Sequence, residues 1–245
     1  MNITQIWRFP VKSMQGETLS TASVDYNGIV GDRHWCLRDV ASGRNLTARR
    51  EPGLLFAAAK VVDLNPFRVE IAIPDGPTIR GVGTDDDDPA INAALSSWIG
   101  RPVELRVAIS DDAGTYETQA DETETGEWFT WEGPPGSYHD STRTRVSLVS
   151  AATMRDWDPR RFRINVIVDG DTENALVGRT VQAGTVTLDV LKQIDRCVMT
   201  TRPQPGGIER DLSVLKTVVA EMGNMLGIGA VVTAPGTMNV GDPLT

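Results

Sequence analysis

Residues 186–203 read VTLDVLKQIDRCVMTTRP, and the fold turns on this stretch. Val186, Leu188 and Val190 alternate with Thr187, Asp189 and Leu191, a period close to two that predicts a strand. The strand runs into a tight polar group, Asp195-Arg196-Cys197, then Thr200, Thr201 and Arg202, and Pro203 biases Arg202 away from helix. A thiol set between arginines and close to hydroxyls has two readings. It is a small buried hydrophobe, or it is a reactive or metal-binding sulfur, a chemistry that electropositive surroundings assist.

Working outward, Leu212, Leu215, Val218, Val219 and Met222 have helical spacing, with Gly223 as a stop, and Ile228, Ala230 and Val232 predict a further strand. Before the quoted stretch, residues 146–150 and 166–168 are short apolar strands. Ser150 is placed to cap a helix starting at Ala151, and Asp158-Pro159 ends it. The first seventy or so residues are many short strands punctuated by turns such as Asn27-Gly28, Ser42-Gly43 and Pro52-Gly53, the pattern of a barrel or rolled sheet. Residues 54–62 fit a strand or a short helix equally well by period. A helix is expected over 90–98, with Asp88 as N-cap, Pro89 in the first position and Gly100 as its end; Ile91, Ala94, Leu95 and Trp98 share one face. The acidic run 85–88 reads as a solvated loop or the start of that helix. Val103, Leu105 and Val107 begin another strand. The fold class is therefore mainly β with a few helices. Between residues 109 and 139 the chain is acidic and rich in Gly and Pro, a linker, lid or excursion between domains. Trp128, Phe129 and Trp131 within it form an aromatic clamp or anchor the segment to the core.

The chain has 245 residues, 40% hydrophobic and 23% charged, enough for a real core without staples. With 24 basic and 33 acidic residues the formal net charge is −9. That argues against nucleic-acid binding as the main function, which draws on many Lys and Arg contacts to phosphate. Cys36 and Cys197 make neither a disulfide framework nor a CxxC zinc site. No signal-like segment and no membrane-length apolar run is present, so a cytoplasmic location is the default expectation.

Basic residues recur at strand ends: Lys12 with Ser13, Arg33, Arg49, Arg161, Arg163 and Arg196. In an acidic protein they point to an internal anion site, with the hydroxyls of Ser13, Thr200 and Thr201 as further donors; salt bridging to the surplus acids is the alternative. Asn165, entering an apolar strand, needs partners if buried and either bonds a neighbouring loop or faces a ligand. His34 reads as a core or barrel-facing imidazole, a Cys197/His139 pair stays open but has no spacing behind it, and two Cys and two His in unlinked places match no tetrahedral zinc pattern. A single thiolate among phosphate-binding groups fits a metal whose other ligands belong to an organic cofactor.

In chain order, Phe9-Pro10-Val11-Lys12-Ser13, Gly28 to Arg33, Leu46-Thr47-Ala48-Arg49, His139-Asp140-Ser141, Arg161 to Val166, Asp195-Arg196-Cys197 with Thr200-Thr201, and Val240-Gly241-Asp242 resemble the two-part proteins of the MOSC superfamily. The resemblance implies a MOSC β-barrel fused to an N-terminal β-barrel-like (α+β) domain, over residues 1–108 and 139–245 with an acidic connector at 109–138. It also implies a molybdenum-molybdopterin cofactor whose metal is bound by Cys197, which is then the catalytic centre. By analogy with the mitochondrial amidoxime reducing component and its bacterial relatives, Lys12, Ser13 and Arg33 would lie near the cofactor phosphate and pterin. Arg163, Asn165 and Arg196 would approach from the MOSC side, and Arg49, Arg161, Thr200 and Thr201 complete the implied cofactor-binding set. The implied activity is two-electron reduction of N-hydroxylated small molecules, with electrons from a separate ferredoxin, flavoprotein or cytochrome. Pyridoxal phosphate binding is a further family-level association. The competing reading is a sulfur carrier or cofactor-handling protein with a persulfide on Cys197. Ile164 departs from the family, which often carries Pro there.

Overall fold

The computed structural model describes residues 1–84, 87, 89–109, 113–119 and 126–245. The strand Val186–Asp195 forms as its alternation predicts: Val186, Leu188 and Val190 are buried, while Thr187 and Asp189 are half-buried. It pairs antiparallel with Thr180–Ala183 on one side and Met225–Ala234 on the other. The sheet continues through Val146–Ser150 and Val166–Val168, which are parallel to each other, to Ile3–Arg8 and Glu17–Leu19. Residues from the start of the chain thus close a sheet built largely from its last hundred.

Ile3 and Ile6, three apart, are both buried in one strand. A register shift between Ile3 and Gln5 against Val168 and Ile167 accounts for this, because a bulge inserts one residue and returns the next to the same face. Thr21–Asp25 adds to the arrangement by pairing with Gly236–Asn239 and Gly28–Ile29. The resulting core contains Ile3, Ile6, Val24 and Ile29 together with Leu148, Val166, Leu188 and Ile228.

A second core has all its buried members within residues 11–105 among the described residues, with the half-buried Met199 packed against it. It lies among Trp35–Asp39 paired with Val103–Val107, the meander Ala58–Leu64, Phe67–Ala72 and Thr78–Gly81, and the helix Pro89–Ile99. Trp35 is fully buried there and donates its indole N–H to Val82 O at 2.6 Å. Residues 54–62, ambiguous by period, divide at Ala57: a short 3-10 helix Pro52–Phe56 precedes the strand Ala58–Leu64. The helix Pro89–Ile99 starts at the expected proline and is followed by Gly100 at φ +80°. Its expected N-cap Asp88 lies outside the described residues, as do Asp85 and Asp86. Asp87 is not a solvated residue, since its carboxylate accepts from Val82 N at 2.8 Å and Gly83 N at 2.6 Å.

A third cluster seats the helix Leu212–Met222 on the large sheet through Val214 and Val218 against Val149, Phe162, Ile164 and Leu226. Gly223 ends this helix in the left-handed region, and Ser150 caps Ala151–Met154 by accepting from Thr153 N. The described part of the acidic segment is a hairpin of Ala113–Gln119 and Trp128–Pro135. Its aromatic residues serve mainly as anchors: Trp131 stacks on the buried Tyr116 at 4.6 Å and Arg50 covers Trp128 at 4.4 Å, while Phe129 is exposed.

Ile6 is fully buried among residues from the far half of the chain. Ile6→Ala is expected to lower unfolding stability by about 2–5 kcal/mol, read as a shifted urea midpoint with an unchanged slope.

Candidate functional site

The strand Val186–Asp195 ends two residues before Cys197, which has extended backbone and precedes the 3-10 turn Val198–Thr201. Cys197 is a half-buried free thiol. Its carbonyl accepts from both the N–H and the hydroxyl of Thr200 at 3.1 Å, and Thr201 donates its hydroxyl to Val198 O at 2.8 Å. Both threonine hydrogens are therefore spent in fixing the turn. Arg161 supports it from behind, donating to Thr200 O at 3.2 Å, Arg202 O at 3.4 Å and Glu209 O at 2.7 Å.

Arg196 turns inward from the same strand end and donates to Phe162 O at 3.0 Å and Leu226 O at 2.8 Å. Burial lowers its guanidinium to about 10, against the raising influence of Cys197 and Asp195. Gly227, at φ +81°, leaves room for it: a Cβ there would lie 2.8 Å from Leu148 O and 3.3 Å from Arg196 Nη2.

The large sheet meets the second core along a seam, where Arg163 reaches Met14 O; there Lys12 is buried and donates from Nζ to Tyr138 O and Asp140 Oδ1, both at 2.7 Å, with the Tyr116 ring 4.6 Å away. Arg33 donates to Arg163 O at 2.7 Å and pairs with Asp32, and Arg163 reaches Met14 O. Both guanidiniums lie over the Phe9 ring, at 5.0 and 4.5 Å. Burial first, and then Arg33, lowers Arg163 to about 9. Ser13, Arg33 and Arg163 all have left-handed backbone, at φ +69°, +47° and +53°. That conformation costs a non-glycine residue of order 1–3 kcal/mol and gathers where function over-determines the backbone. Ser13 Oγ accepts from Ala48 N at 2.9 Å.

Lys12, Arg33, Arg163 and Arg196 are thus brought together, with Cys197 beside Arg196. Arg49 stands apart, donating to Thr118 Oγ1 at 2.9 Å and Gln119 O at 2.8 Å on the hairpin. Asn165 is buried with both ends of its amide occupied. Its oxygen accepts from Ser147 N and Oγ, and its nitrogen donates to Trp7 O and Asp32 Oδ2 at 3.2 and 3.1 Å. Its partners lie on the strands Val146–Ser150 and Ile3–Arg8 and, at Asp32, on a neighbouring loop. Two cavities, of about 320 and 500 Å³, contain none of these residues.

Sequence reasoning gave no site role to Asp32 or Asp140, and to His139 only a pairing with Cys197 that no spacing supports. Asp32 is buried, accepting from Phe9 N at 2.7 Å, Arg33 and Asn165. The signal available for it was an acid directly before an arginine after the Gly28–Gly31 turn. His139 is buried 4.0 Å from Asp32 and 3.2 Å from Asn27 O. Burial, reinforced by Arg33, pushes it down to about 3, so it is neutral at ordinary pH.

Among the described residues no three His, Cys, Asp or Glu side chains converge on a metal position. A metal at Cys197 would accordingly take its other ligands from an organic group. One soft thiol beside an excess of buried cations is a donor set that fits a metal carried by a phosphate-bearing cofactor.

A model described as the MOSC N-terminal beta barrel domain matches residues 1–104, and the MOSC domain matches residues 137–245. The chain belongs to the MOSC family. That family is associated with handling of the molybdenum cofactor. Among solved structures, the chain is similar to the YUAD protein from Bacillus subtilis, at 15% identity over 99% of this chain and 93% of that one, with a TM-score of 0.46. It is also similar to YiiM from Geobacillus stearothermophilus, at 17% identity over 56% and 73% of the two chains, with a TM-score of 0.35. No curated protein matches. Among the described residues no helix is long and apolar enough to cross a membrane.

Asp32→Ala would leave Arg33 and Asn165 without their buried acceptor and is expected to cost about 3–5 kcal/mol in denaturant unfolding. His139 gives a pH signature. Its folded pKa of about 3 lies below the ordinary 6.5, so between these values the unfolded chain binds a proton that the native one does not. Its contribution to stability is complete above about pH 6.5 and falls as pH drops toward 3. His139→Gln is expected to flatten this part of the stability–pH curve.

Proposed function

We propose that the seam holds a molybdenum-molybdopterin cofactor and that the chain is a molybdenum-dependent oxidoreductase acting on N-hydroxylated small molecules. The supporting observation is the convergence of Lys12, Arg33, Arg163 and Arg196 from both halves of the chain beside a single half-buried thiol. Cys197 would supply the metal ligand. Lys12 and Arg33 would meet the phosphate, with Arg163 and Arg196 as further cations. When bound, the cofactor would supply two-electron redox chemistry at a sulfur-ligated metal.

The contributions of the chain itself are positional. The Thr200 and Thr201 hydroxyls and the Arg161 guanidinium fix the carbonyls around Cys197, so that its sulfur leaves a rigid turn. Asp32 fixes Arg33 from below, and Arg33 in turn holds the carbonyl of Arg163. The overall reaction balances as an amidoxime plus two electrons and two protons giving an amidine and water. The electrons would come from a separate ferredoxin, flavoprotein or cytochrome.

Metal analysis and a reduction assay with an artificial donor test this reading. Protein made in a cofactor-competent host is expected to carry near-stoichiometric molybdenum and pterin and to reduce a panel of amidoximes and hydroxylamines. Cys197→Ser is expected to lose the metal with little change in Tm; molybdenum unchanged in that variant would overturn the ligand assignment. A persulfide on Cys197 in metal-free, inactive protein would replace the reductase with a sulfur carrier.

A further inference from the structure

We infer that Asp140 is an exchangeable counter-ion: its carboxylate occupies the place on Lys12 that an incoming phosphate group takes, and it yields that place when the anion binds. The inference rests on the proposed reading of the seam as an anion site and adds to it a residue with no assigned role.

Among the described residues Asp195 acts on Arg196, while Asp32 and Asp140 face Lys12, Arg33 and Arg163, and these two are built differently. The side chain of Asp32 is wholly buried and is held by the Phe9 N–H, Arg33 and Asn165. It cannot leave without abandoning three donors. The side chain of Asp140 is 81% exposed, whereas that of its partner Lys12 is 7% exposed. Among the described residues its carboxylate makes one side-chain hydrogen bond, from Lys12 Nζ at 2.7 Å. Lys12, Arg33 and His139 all attract this carboxylate, but with one hydrogen bond and most of its side chain in water it can swing out where Asp32 cannot.

Lys12, by contrast, is fixed. Its ammonium donates to Tyr138 O at 2.7 Å and lies 4.6 Å from the centre of the Tyr116 ring, so it stays in place when Asp140 swings away. Burial lowers its pKa, and Arg33 and Arg163 lower it further, while Asp140 opposes them. Asp140 opposes that lowering in the absence of ligand, and a phosphate in its place supplies more charge and more acceptor oxygens than a carboxylate.

Removing a competing negative charge strengthens anion binding. Calorimetric titration of the metal-free protein with inorganic pyrophosphate at neutral pH tests this, using the parent protein, Asp140→Asn, Lys12→Gln and the double variant. Asp140→Asn is expected to bind about three- to tenfold more tightly. Lys12→Gln is expected to bind more weakly, and on that background the gain from Asp140→Asn should vanish. Because Asp140 is exposed, its variant should fold; equal Tm values check that. Equal or weaker binding by Asp140→Asn, with Lys12→Gln still impaired, would overturn the exchange and leave the anion site standing. An equal gain with and without Lys12 would reduce Asp140 to a general surface charge and also overturn it. Pyrophosphate binding by none of the four proteins would overturn the anion site and the exchange together.

Discussion

A buried carboxylate organises the seam. Asp32 lies in a left-handed turn bounded by Gly31 and Arg33, and its two oxygens collect the Phe9 amide, the Arg33 guanidinium and the Asn165 amide. Those donors come from three separate pieces of chain, two near its beginning and one about 130 residues later. A charge taken out of water needs such saturation, since desolvation otherwise outweighs any attraction it finds. Asn165 carries the same network onward through Ser147 to the strand Val146–Ser150. The large sheet and the second core consequently meet through a fully bonded polar joint.

The joint permits an arrangement that is unfavourable by itself. Arg33 and Arg163 both lie against the Phe9 ring, two like charges at one aromatic group, and burial and then Arg33 lower the pKa of Arg163. Their backbones are also held in the left-handed region. Such costs persist where the surrounding structure over-determines the conformation. Here the determinants are visible: Arg33 N donates to Phe9 O at 2.8 Å, Tyr138 N to Arg33 O at 2.8 Å, and Arg163 N to Pro159 O at 3.2 Å. The cations are pre-positioned before any ligand arrives, which lowers the ordering cost of binding.

Much of the fold could be read from local pattern. The alternation over Val186 to Val190, the spacing of the helix Leu212–Met222 with Gly223 after it, and Ser150 before Ala151 are short-range signals that tertiary packing reinforced. What stayed hidden depends on partners far away in sequence. Nothing near Ile3 indicates that its strand pairs with Val166–Val168, and the bulge that lets Ile3 and Ile6 share a face breaks the period a reader looks for. At the site, the arginines were conspicuous because they interrupt apolar runs. Asp32 was not, since an acid before an arginine looks like a surface pair until its burial is known. The left-handed backbones at Ser13, Arg33 and Arg163 leave no mark either, because none is glycine. The acidic composition of 109–138 suggested irregular chain, yet Tyr116 and Trp131 were enough to seat its described part as a hairpin.

The pairing of Ile3–Arg8 with Val166–Val168 bears on how the molecule is made. During synthesis the first strand leaves the ribosome long before Val166–Val168 exists, and the edge not paired with Glu17–Leu19 spends that interval with open hydrogen-bonding groups. The buried members of the core within residues 11–105 are all made much earlier and give the nascent chain something to fold while the large sheet waits. Closing that sheet requires a loop of some 160 residues, which favours late, slow completion. Order of assembly is thus written into the connectivity, with the seam, and everything it holds, finished last.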